Sequence, residues 1–203
     1  MDKNIYVVDR NQLNANEEKD IFRLLLASFS TMFAHVHLTS KEKLTILLHF
    51  EQNYSSQGKQ LVDYMVKDSN EVIGVLTVSS KRTTSKNLTY PLELSKRYGY
   101  LTVFKYVLLL SALEYYPRDK EQYIENIAVH ENYRKQGIGK ALISAVQAKV
   151  KKEERLSLVV SVKNKQALNL YAACGFTIVK KEREFILGLL ANEPDWFFME
   201  WGR

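Results

Sequence analysis

The chain has 203 residues, of which 46% are hydrophobic and 26% are charged, and its formal net charge is +6 at pH 7. This composition excludes a low-complexity or fibrous chain, and the length suits one domain with a sizeable core. A single cysteine, Cys174, excludes an intrachain disulfide, and no apolar run is long enough for a membrane span. The N-terminal residues lack the apolar region of a signal peptide, so we expect a cytoplasmic protein.

The first part of the chain predicts helices that alternate with strands. The expected elements are a strand at Asn4–Val8, helices beginning at Asn16 and Ser40, and a hairpin of Lys59–Lys67 with Glu71–Ser80. His35 and His37 form the one histidine pair in this region. Neither has another histidine or cysteine at ligand spacing, so we expect no metal site.

An apolar and aromatic segment, Pro91–Tyr116, follows the hairpin. Its composition predicts a helix that is apolar nearly all round, and such a helix is normally covered on both sides. Three roles remain open for it: an added core helix, a subunit interface of a homodimer, or a wall of a substrate pocket.

A strand, a basic turn and a helix occupy the centre of the chain, at Tyr123–Val129, Tyr133–Gly139 and Lys140–Val150. Strict alternation would place Tyr123, Glu125, Ile127 and Val129 on one face of the strand and Ile124, Asn126 and Ala128 on the other. Gly137 and Gly139 lack a Cβ, so a ligand can approach the free N–H groups of the first helical turn. Such a helix start favours an anion, and phosphate is its natural occupant.

Two common phosphate motifs do not fit this turn. A P-loop needs a glycine where Arg134 lies and a serine or threonine where Ala141 lies, and a dinucleotide fingerprint needs a small residue at Leu142. The pattern Arg134-x-x-Gly137-x-Gly139 instead resembles the pyrophosphate-binding motif of the GNAT superfamily of N-acetyltransferases.

A second motif strengthens this resemblance. After the predicted strand Leu156–Val162, the segment Asn164–Phe176 has the pattern Asn-x-x-Ala-x-x-x-Tyr-x-x-x-Gly-Phe, which is similar to the distal half of the GNAT fold. The similarity extends over roughly Glu71–Phe176. It implies an α/β fold with a mixed, mostly antiparallel sheet that splays open between its fourth and fifth strands. We expect one domain, 1–203, with a helical insertion at about 82–120.

The resemblance also implies a cofactor, acetyl-CoA, held in the split of the sheet. The residues it assigns to cofactor binding are Ile127, Ala128 and Val129 for pantetheine, Arg134, Lys135, Gln136, Gly137, Ile138, Gly139 and Lys140 for the pyrophosphate, and Asn164 and Tyr171 nearby. Tyr171 would donate a proton to the departing thiolate, and Glu125 is the candidate general base. Cys174 is expected to be inert, so Cys174→Ala should keep activity.

The predicted function is transfer of an acetyl group from acetyl-CoA to a primary amine by direct attack in a ternary complex. A small-molecule amine is favoured over a protein N-terminus or a lysine, but no motif identifies the acceptor. The first alternative is a GNAT-fold module that binds acyl-CoA without turnover. The second is a basic nucleic-acid binder, which the scattered lysines and arginines do not favour.

Overall fold

The computed structural model describes residues 4–33, 38–51, 60–80 and 92–202. Seven strands form one sheet: β1 (Ile5–Asp9), β2 (Gln60–Asp68), β3 (Glu71–Ser80), β4 (Glu121–Val129), β5 (Arg155–Ser161), β6 (Phe176–Arg183) and β7 (Asp195–Trp201). The helices are α1 (Ala15–Ser28), α2 (Ser40–Phe50), α3 (Leu92–Tyr98), α4 (Tyr100–Ala112), α5 (Ile138–Gln147), α6 (Lys165–Ala173) and α7 (Phe185–Ala191). The strand order is β1-β2-β3-β4-β5-β7-β6.

The first two helices begin close to the expected residues, and each begins with a capping box. The N-cap of α1 is Asn14, because its side chain accepts from the N–H groups of Asn16 and Glu17 while the Glu17 carboxylate accepts from the N–H of Asn14. Thr39 and Glu42 form the same reciprocal capping box at α2. Helix α1 therefore begins one residue before the expected Asn16, and α2 begins at the expected Ser40 but has Thr39 as its N-cap.

The sheet opens where the resemblance implied. Strands β4 and β5 are its one parallel pair, and they pair only from Glu121 opposite Arg155 to Ile124 opposite Leu158. Beyond that point β4 continues beside β3, whereas β5 continues beside β7. The two strands therefore diverge and leave a cleft between the second half of β4 and the end of β5, which we call the split.

A β-bulge in β4 changes the faces that alternation predicted. Thr77 of β3 lies opposite Asn126, but the next residue, Val78, lies opposite Ile124, so Glu125 is an extra residue in the ladder. Because a bulge reverses the alternation on one side of it, Tyr123 lies on the same face as Asn126. Ile124 lies on the opposite face, in the hydrophobic cluster that also contains Leu76 and Leu142. The prediction that Tyr123 shares a face with Ile127, and Ile124 with Asn126, is wrong for this reason.

Both faces of the sheet are covered. Helices α5 and α6 cover one face, and their main cluster includes Leu76, Ile124 and Leu142. Helices α1 and α2 cover the other face, where Met65 and Val75 are fully buried. We call these the α5 face and the α1 face.

Residues 82–91 of the expected insertion lie outside the described residues, and its described part forms two helices, separated at Gly99 with φ +88°. Val103, Tyr106 and Leu109 of α4 are buried in a third cluster, which also contains Leu187 and Ala191 of α7. The opposite side of α4 is exposed, and Leu101 keeps 67% of its surface accessible. Within this one chain, the helix is therefore covered on one side only. Among the described residues, no helix combines the length and apolarity needed to cross a membrane.

Candidate functional site at the split of the sheet

The backbone of β4 presents alternate residues to the split. The N–H of His130 donates to the carbonyl of Ile73 at 2.8 Å, which places the even-numbered residues of this stretch in the hydrogen-bonded ladder with β3. The N–H and C=O groups of Ile127 and Val129 consequently point away from β3, toward the split, whereas those of Ala128 belong to the ladder. The carbonyl of Val129 accepts from Arg134 Nε at 3.1 Å.

The helix start that follows β4 has the properties of an anion site. Gly137 is the N-cap of α5 in a left-handed conformation, φ +79°, and as a glycine it supplies no capping side chain. The N–H groups of the first turn therefore remain available to a ligand. Lys135 and Lys140 are exposed beside this turn, so their positive charges add to that of the helix dipole.

The remaining residues of the turn hold its shape. Gln136 Nε2 donates to the carbonyl of Asn132 at 3.1 Å, and the side chain of Ile138 is buried in the core. A Cβ on Gly139 would lie 3.1 Å from Leu170 Cδ2 of α6. The absence of a side chain at Gly139 therefore allows α5 to pack closely against α6. The sequence predicted that this absence would instead make room for a ligand.

Helix α6 begins at a residue of the second motif. Asn164 is its N-cap, and its side-chain oxygen accepts from the N–H of Ala167 at 3.1 Å. Since that oxygen is already occupied, the exposed carboxamide offers its NH₂ group to a ligand. The helix ends before Gly175, which has φ +85°, as expected for a residue that stops a helix in the left-handed conformation.

Tyr171 lies on the buried side of α6, with only 6% of its surface exposed, and its ring lies 5.9 Å from that of Phe176. Burial raises the pKa of Tyr171 above its ordinary value near 10, and the neighbouring Cys174 adds to the effect. The phenol is therefore protonated throughout the neutral pH range.

Glu125, at the bulge, is half-buried and lies near a second tyrosine. Burial raises the pKa of Tyr123 well above 10, and the next contributions are the negative charges of Glu125, Tyr115 and Tyr171 when ionised. Glu125 and Tyr171 therefore both lie near enough to the Tyr123 ring for their charges to affect its pKa. Tyr123 is held by Tyr115, whose ring is stacked on it at 4.2 Å and whose hydroxyl donates to Glu121 at 3.1 Å.

Cys174, beside Tyr171, has a pKa raised by burial, although Lys140 lowers it in part. A raised pKa keeps the sulfur as a thiol at neutral pH, and the thiolate is the nucleophilic form. This environment does not activate the cysteine for an acyl-enzyme.

A polar network on the α1 face was missed by the sequence reasoning. Arg10 forms a two-pronged ion pair with Asp63, with Nε at 2.5 Å from Oδ2 and Nη2 at 2.7 Å from Oδ1, and its Nη1 donates to Glu51 Oε1 at 3.1 Å. Thr77 and Asn126 continue the network across β3 and β4. Burial alone would lower the pKa of Arg10, but hydrogen bonds and charge from Asp63 raise it overall.

No spacing rule could have found this network, because its members come from five separate segments of the chain. The one local signal is Asp63, a carboxylate at an inward position of an otherwise apolar strand. The predicted histidine pair, His35 and His37, lies outside the described residues. Within the described ranges, no group of three or more histidine, cysteine, aspartate or glutamate side chains is placed to hold a metal ion.

Comparison with known proteins agrees with this architecture. The model of the acetyltransferase (GNAT) family matches residues 20–176. A curated N-alpha-acetyltransferase of Sulfurisphaera tokodaii is 41% identical over 69 residues, which is 32% of this chain and spans only 41% of that relative's length. A GNAT family acetyltransferase from Elizabethkingia anophelis, solved with acetyl-CoA bound, matches with a TM-score of 0.58 and 19% identity over 100% of both chains.

A protein from Pyrococcus horikoshii OT3 gives a TM-score of 0.59 at 14% identity, with 98% of this chain and 99% of that chain covered. These two structural matches support the fold, and the family match covers most of the chain. The chain therefore belongs to the acetyltransferase (GNAT) family.

Proposed function

We propose that the protein transfers the acetyl group of acetyl-CoA to a primary amine by direct attack in a ternary complex. The observation that carries the proposal is the split after Ile124 and Leu158, with Glu125 directly after the last β4–β5 pair. Family membership supports the reaction class, and the structural relative from Elizabethkingia anophelis was solved with acetyl-CoA.

The residues around the split fit acetyl-CoA, which supplies an activated thioester. Backbone groups of Ile127 and Val129 are available to pair with an extended amide-containing arm such as pantetheine. The uncapped start of α5, between residues 137 and 140, suits the pyrophosphate, with Arg134, Lys135 and Lys140 supplying positive charge. Asn164 would donate from its NH₂ group to a nearby oxygen.

Glu125 would manage the proton of the acceptor. An alkylammonium group has a pKa near ~10.4, so only about one molecule in a thousand is a nucleophilic amine at neutral pH. A half-buried carboxylate at the bulge is placed to take this proton, directly or through a water molecule.

Tyr171 would act on the departing sulfur. Because its phenol stays protonated, it can donate a hydrogen bond to the thiolate as negative charge develops there, and the proton can follow. Cys174 takes no part, in keeping with the protonated state of its thiol.

The test is release of free thiol from acetyl-CoA in the presence of a panel of acceptors, together with calorimetric measurement of acetyl-CoA binding. The panel contains small primary amines and peptides with free N-termini, because a relative over part of the chain is named an N-alpha-acetyltransferase. We expect binding of acetyl-CoA and thiol release with at least one acceptor.

The outcomes separate the three candidate functions. Binding without release for every acceptor would favour the acyl-CoA-binding module. Salt-dependent binding of DNA or RNA without acetyl-CoA binding would favour the nucleic-acid binder.

A further inference from the structure

A row of polar residues crosses three strands on the α1 face. The positions two residues away toward the α1 cluster, Met65, Val75 and Ala128, are apolar. Asp63 of β2 lies opposite Thr77 of β3, and Thr77 lies opposite Asn126 of β4. Asp63 is 0% exposed and Thr77 is 1% exposed, while Asn126 is half-buried. Burying polar groups costs free energy unless they are hydrogen-bonded, so each buried member of this row is expected to have hydrogen-bond partners.

The Thr77 hydroxyl has one proton and two oxygens nearby that could accept it. Thr77 Oγ1 lies 2.7 Å from Asp63 Oδ1 and 3.1 Å from Asn126 Oδ1, and both of those oxygens are acceptors. A hydroxyl donates once and accepts twice. The shorter contact, to a carboxylate already paired with Arg10, is the stronger and takes the proton. Arg10 Nη2 then donates to Thr77 Oγ1 at 3.0 Å.

With that proton used, an Asn126 oxygen 3.1 Å from Thr77 Oγ1 would set one acceptor against another, so the NH₂ group of Asn126 is favoured at this position. The two ends of a carboxamide are nearly alike in shape and are assigned from their hydrogen bonds. With its NH₂ group turned toward Thr77, every hydrogen-bonding site of that hydroxyl is used once. The carbonyl oxygen of Asn126 is then directed away from Thr77 and Arg10.

We propose that the Asn126 carbonyl oxygen accepts a hydrogen bond from the acceptor amine and orients it for attack. Asn126 follows the Glu125 bulge directly and lies two residues beyond the last β4–β5 pair, Ile124 with Leu158, so it is at the split. The proposal rests on the proposed acetyltransferase function and assigns part of its acceptor site. Thr77 and Asp63 are positioning residues, because they act by holding the carboxamide in one orientation.

The charges around Asn126 suit a cationic amine. One guanidinium, Arg10, faces two carboxylates, Asp63 and Glu51, and a third carboxylate, Glu125, is the residue before Asn126. This excess of negative charge favours the approach of an ammonium group. Ser79 extends the same face two residues beyond Thr77, and its buried hydroxyl has no hydrogen-bond partner among the described residues.

The first arm of the test uses turnover with the best acceptor of the panel. Asn126→Ala should raise the KM for that acceptor by about tenfold to a hundredfold, the usual effect of losing a hydrogen bond to a charged group, with the KM for acetyl-CoA unchanged. Thr77→Val should raise the acceptor KM as well, and Thr77→Ser should restore it because the hydroxyl is kept. The matched control is Asn16→Ala, on the exposed side of α1, which should change neither constant.

The second arm needs no turnover. The side-chain NH₂ signal of Asn126, assigned by its loss in Asn126→Ala, is followed by nitrogen–proton correlation spectroscopy while glycinamide or propylamine is added to the CoA-saturated protein. A shift of this signal, together with its displacement in Thr77→Val, supports the proposal.

An unmoved Asn126 signal with both amines would overturn the proposal, as would an acceptor KM that does not respond to Asn126→Ala. If the wild-type protein releases no thiol with any amine, the proposed function fails, but the spectroscopic arm still decides the role of Asn126.

Discussion

At the scale of single residues, Tyr171 and the Arg10 network show two uses of burial. Burial raises the pKa of Tyr171, which keeps a proton on the phenol at the place where a thiolate would form. Burial of Arg10 is instead offset by a two-pronged ion pair with Asp63, so the charge is retained. The protonated phenol of Tyr171 suits a role in proton donation, whereas the retained ion pair of Arg10 with Asp63 suits a role in supporting a binding surface.

Tyr171→Phe removes only the phenol oxygen. We expect kcat for amine acetylation to fall by about a hundredfold to ten-thousandfold, the usual contribution of a positioned acid, while acetyl-CoA affinity changes little. Steady-state kinetics and calorimetry measure the two quantities. Tyr6→Phe, at a 46% exposed position on β1, serves as the control. Equal losses of turnover and affinity would contradict the assigned role.

Asp63→Asn leaves the buried guanidinium of Arg10 without its main partner. Removing one member of a buried ion pair typically costs 3–5 kcal/mol, so we expect the free energy of unfolding to fall by about that amount. Urea denaturation monitored by circular dichroism gives this value. Glu182→Gln breaks the exposed Lys180–Glu182 pair and should cost at most about 1 kcal/mol. Similar losses for the two variants would show that the Arg10 network contributes little to stability.

At the scale of elements, the strand-turn-helix unit from β4 to α5 carries most of the proposed cofactor site. The glycine pattern predicted the turn, and the structure has Gly137 in a left-handed conformation at the helix start. The bulge at Glu125 could not be predicted, because it depends on the register between β3 and β4 and leaves no local mark in the sequence. That one extra residue decides which side chains of β4 face α1 and which face α5.

Gly137→Ala tests the start of α5. An alanine at φ +79° is strained by roughly 1–2 kcal/mol, so the free energy of unfolding should fall by that amount. Acetyl-CoA affinity should fall as well, because the first-turn N–H groups would be displaced. Gly202→Ala is the control, since a Cβ there meets no atom within 4 Å. Unchanged acetyl-CoA affinity in Gly137→Ala would contradict a pyrophosphate site at this turn.

At the scale of the whole molecule, sequence motifs predicted the part of the site that lies along one stretch of chain. The proposed cofactor end lies in segments 123–140 and 164–176, where motif spacing predicted the turn and the helix starts. The proposed acceptor end depends on Arg10, Glu51, Asp63, Thr77 and Asn126, which meet only when β1 to β4 are assembled. Long-range strand pairing creates such a surface, and no local pattern encodes it.

The insertion shows the same limit. Its apolar composition predicted helices correctly, but which side would be covered depends on α7, nearly eighty residues later. Val103 and Tyr106 are buried beside α7, whereas Tyr100 and Leu101 remain exposed. Hydrophobicity therefore identified the helices but could not assign their faces.

Buried tyrosines on both sides of the sheet predict how the stability of the molecule depends on pH. Burial raises the pKa of Tyr64, Tyr106, Tyr115, Tyr123 and Tyr171, and that of Tyr115 reaches about 12. Below pH 10 these phenols are protonated in both the folded and the unfolded chain, so they add no pH dependence. Above pH 10 the unfolded chain loses protons that the folded chain keeps, and the free energy of unfolding must fall as pH rises toward the folded pKa values.

Tyr106→Phe isolates the part of this alkaline destabilisation that comes from one residue. Tyr106 is fully buried in the insertion, and its hydroxyl donates to the carbonyl of Lys43 at 3.3 Å. In urea titrations above pH 10, the loss of unfolding free energy per pH unit should be smaller in Tyr106→Phe than in the wild type, by up to about 1.4 kcal/mol. Tyr6→Phe, at an exposed position of β1, is the matched control. Equal slopes for Tyr106→Phe and the wild type would contradict a raised pKa of Tyr106 in the folded chain.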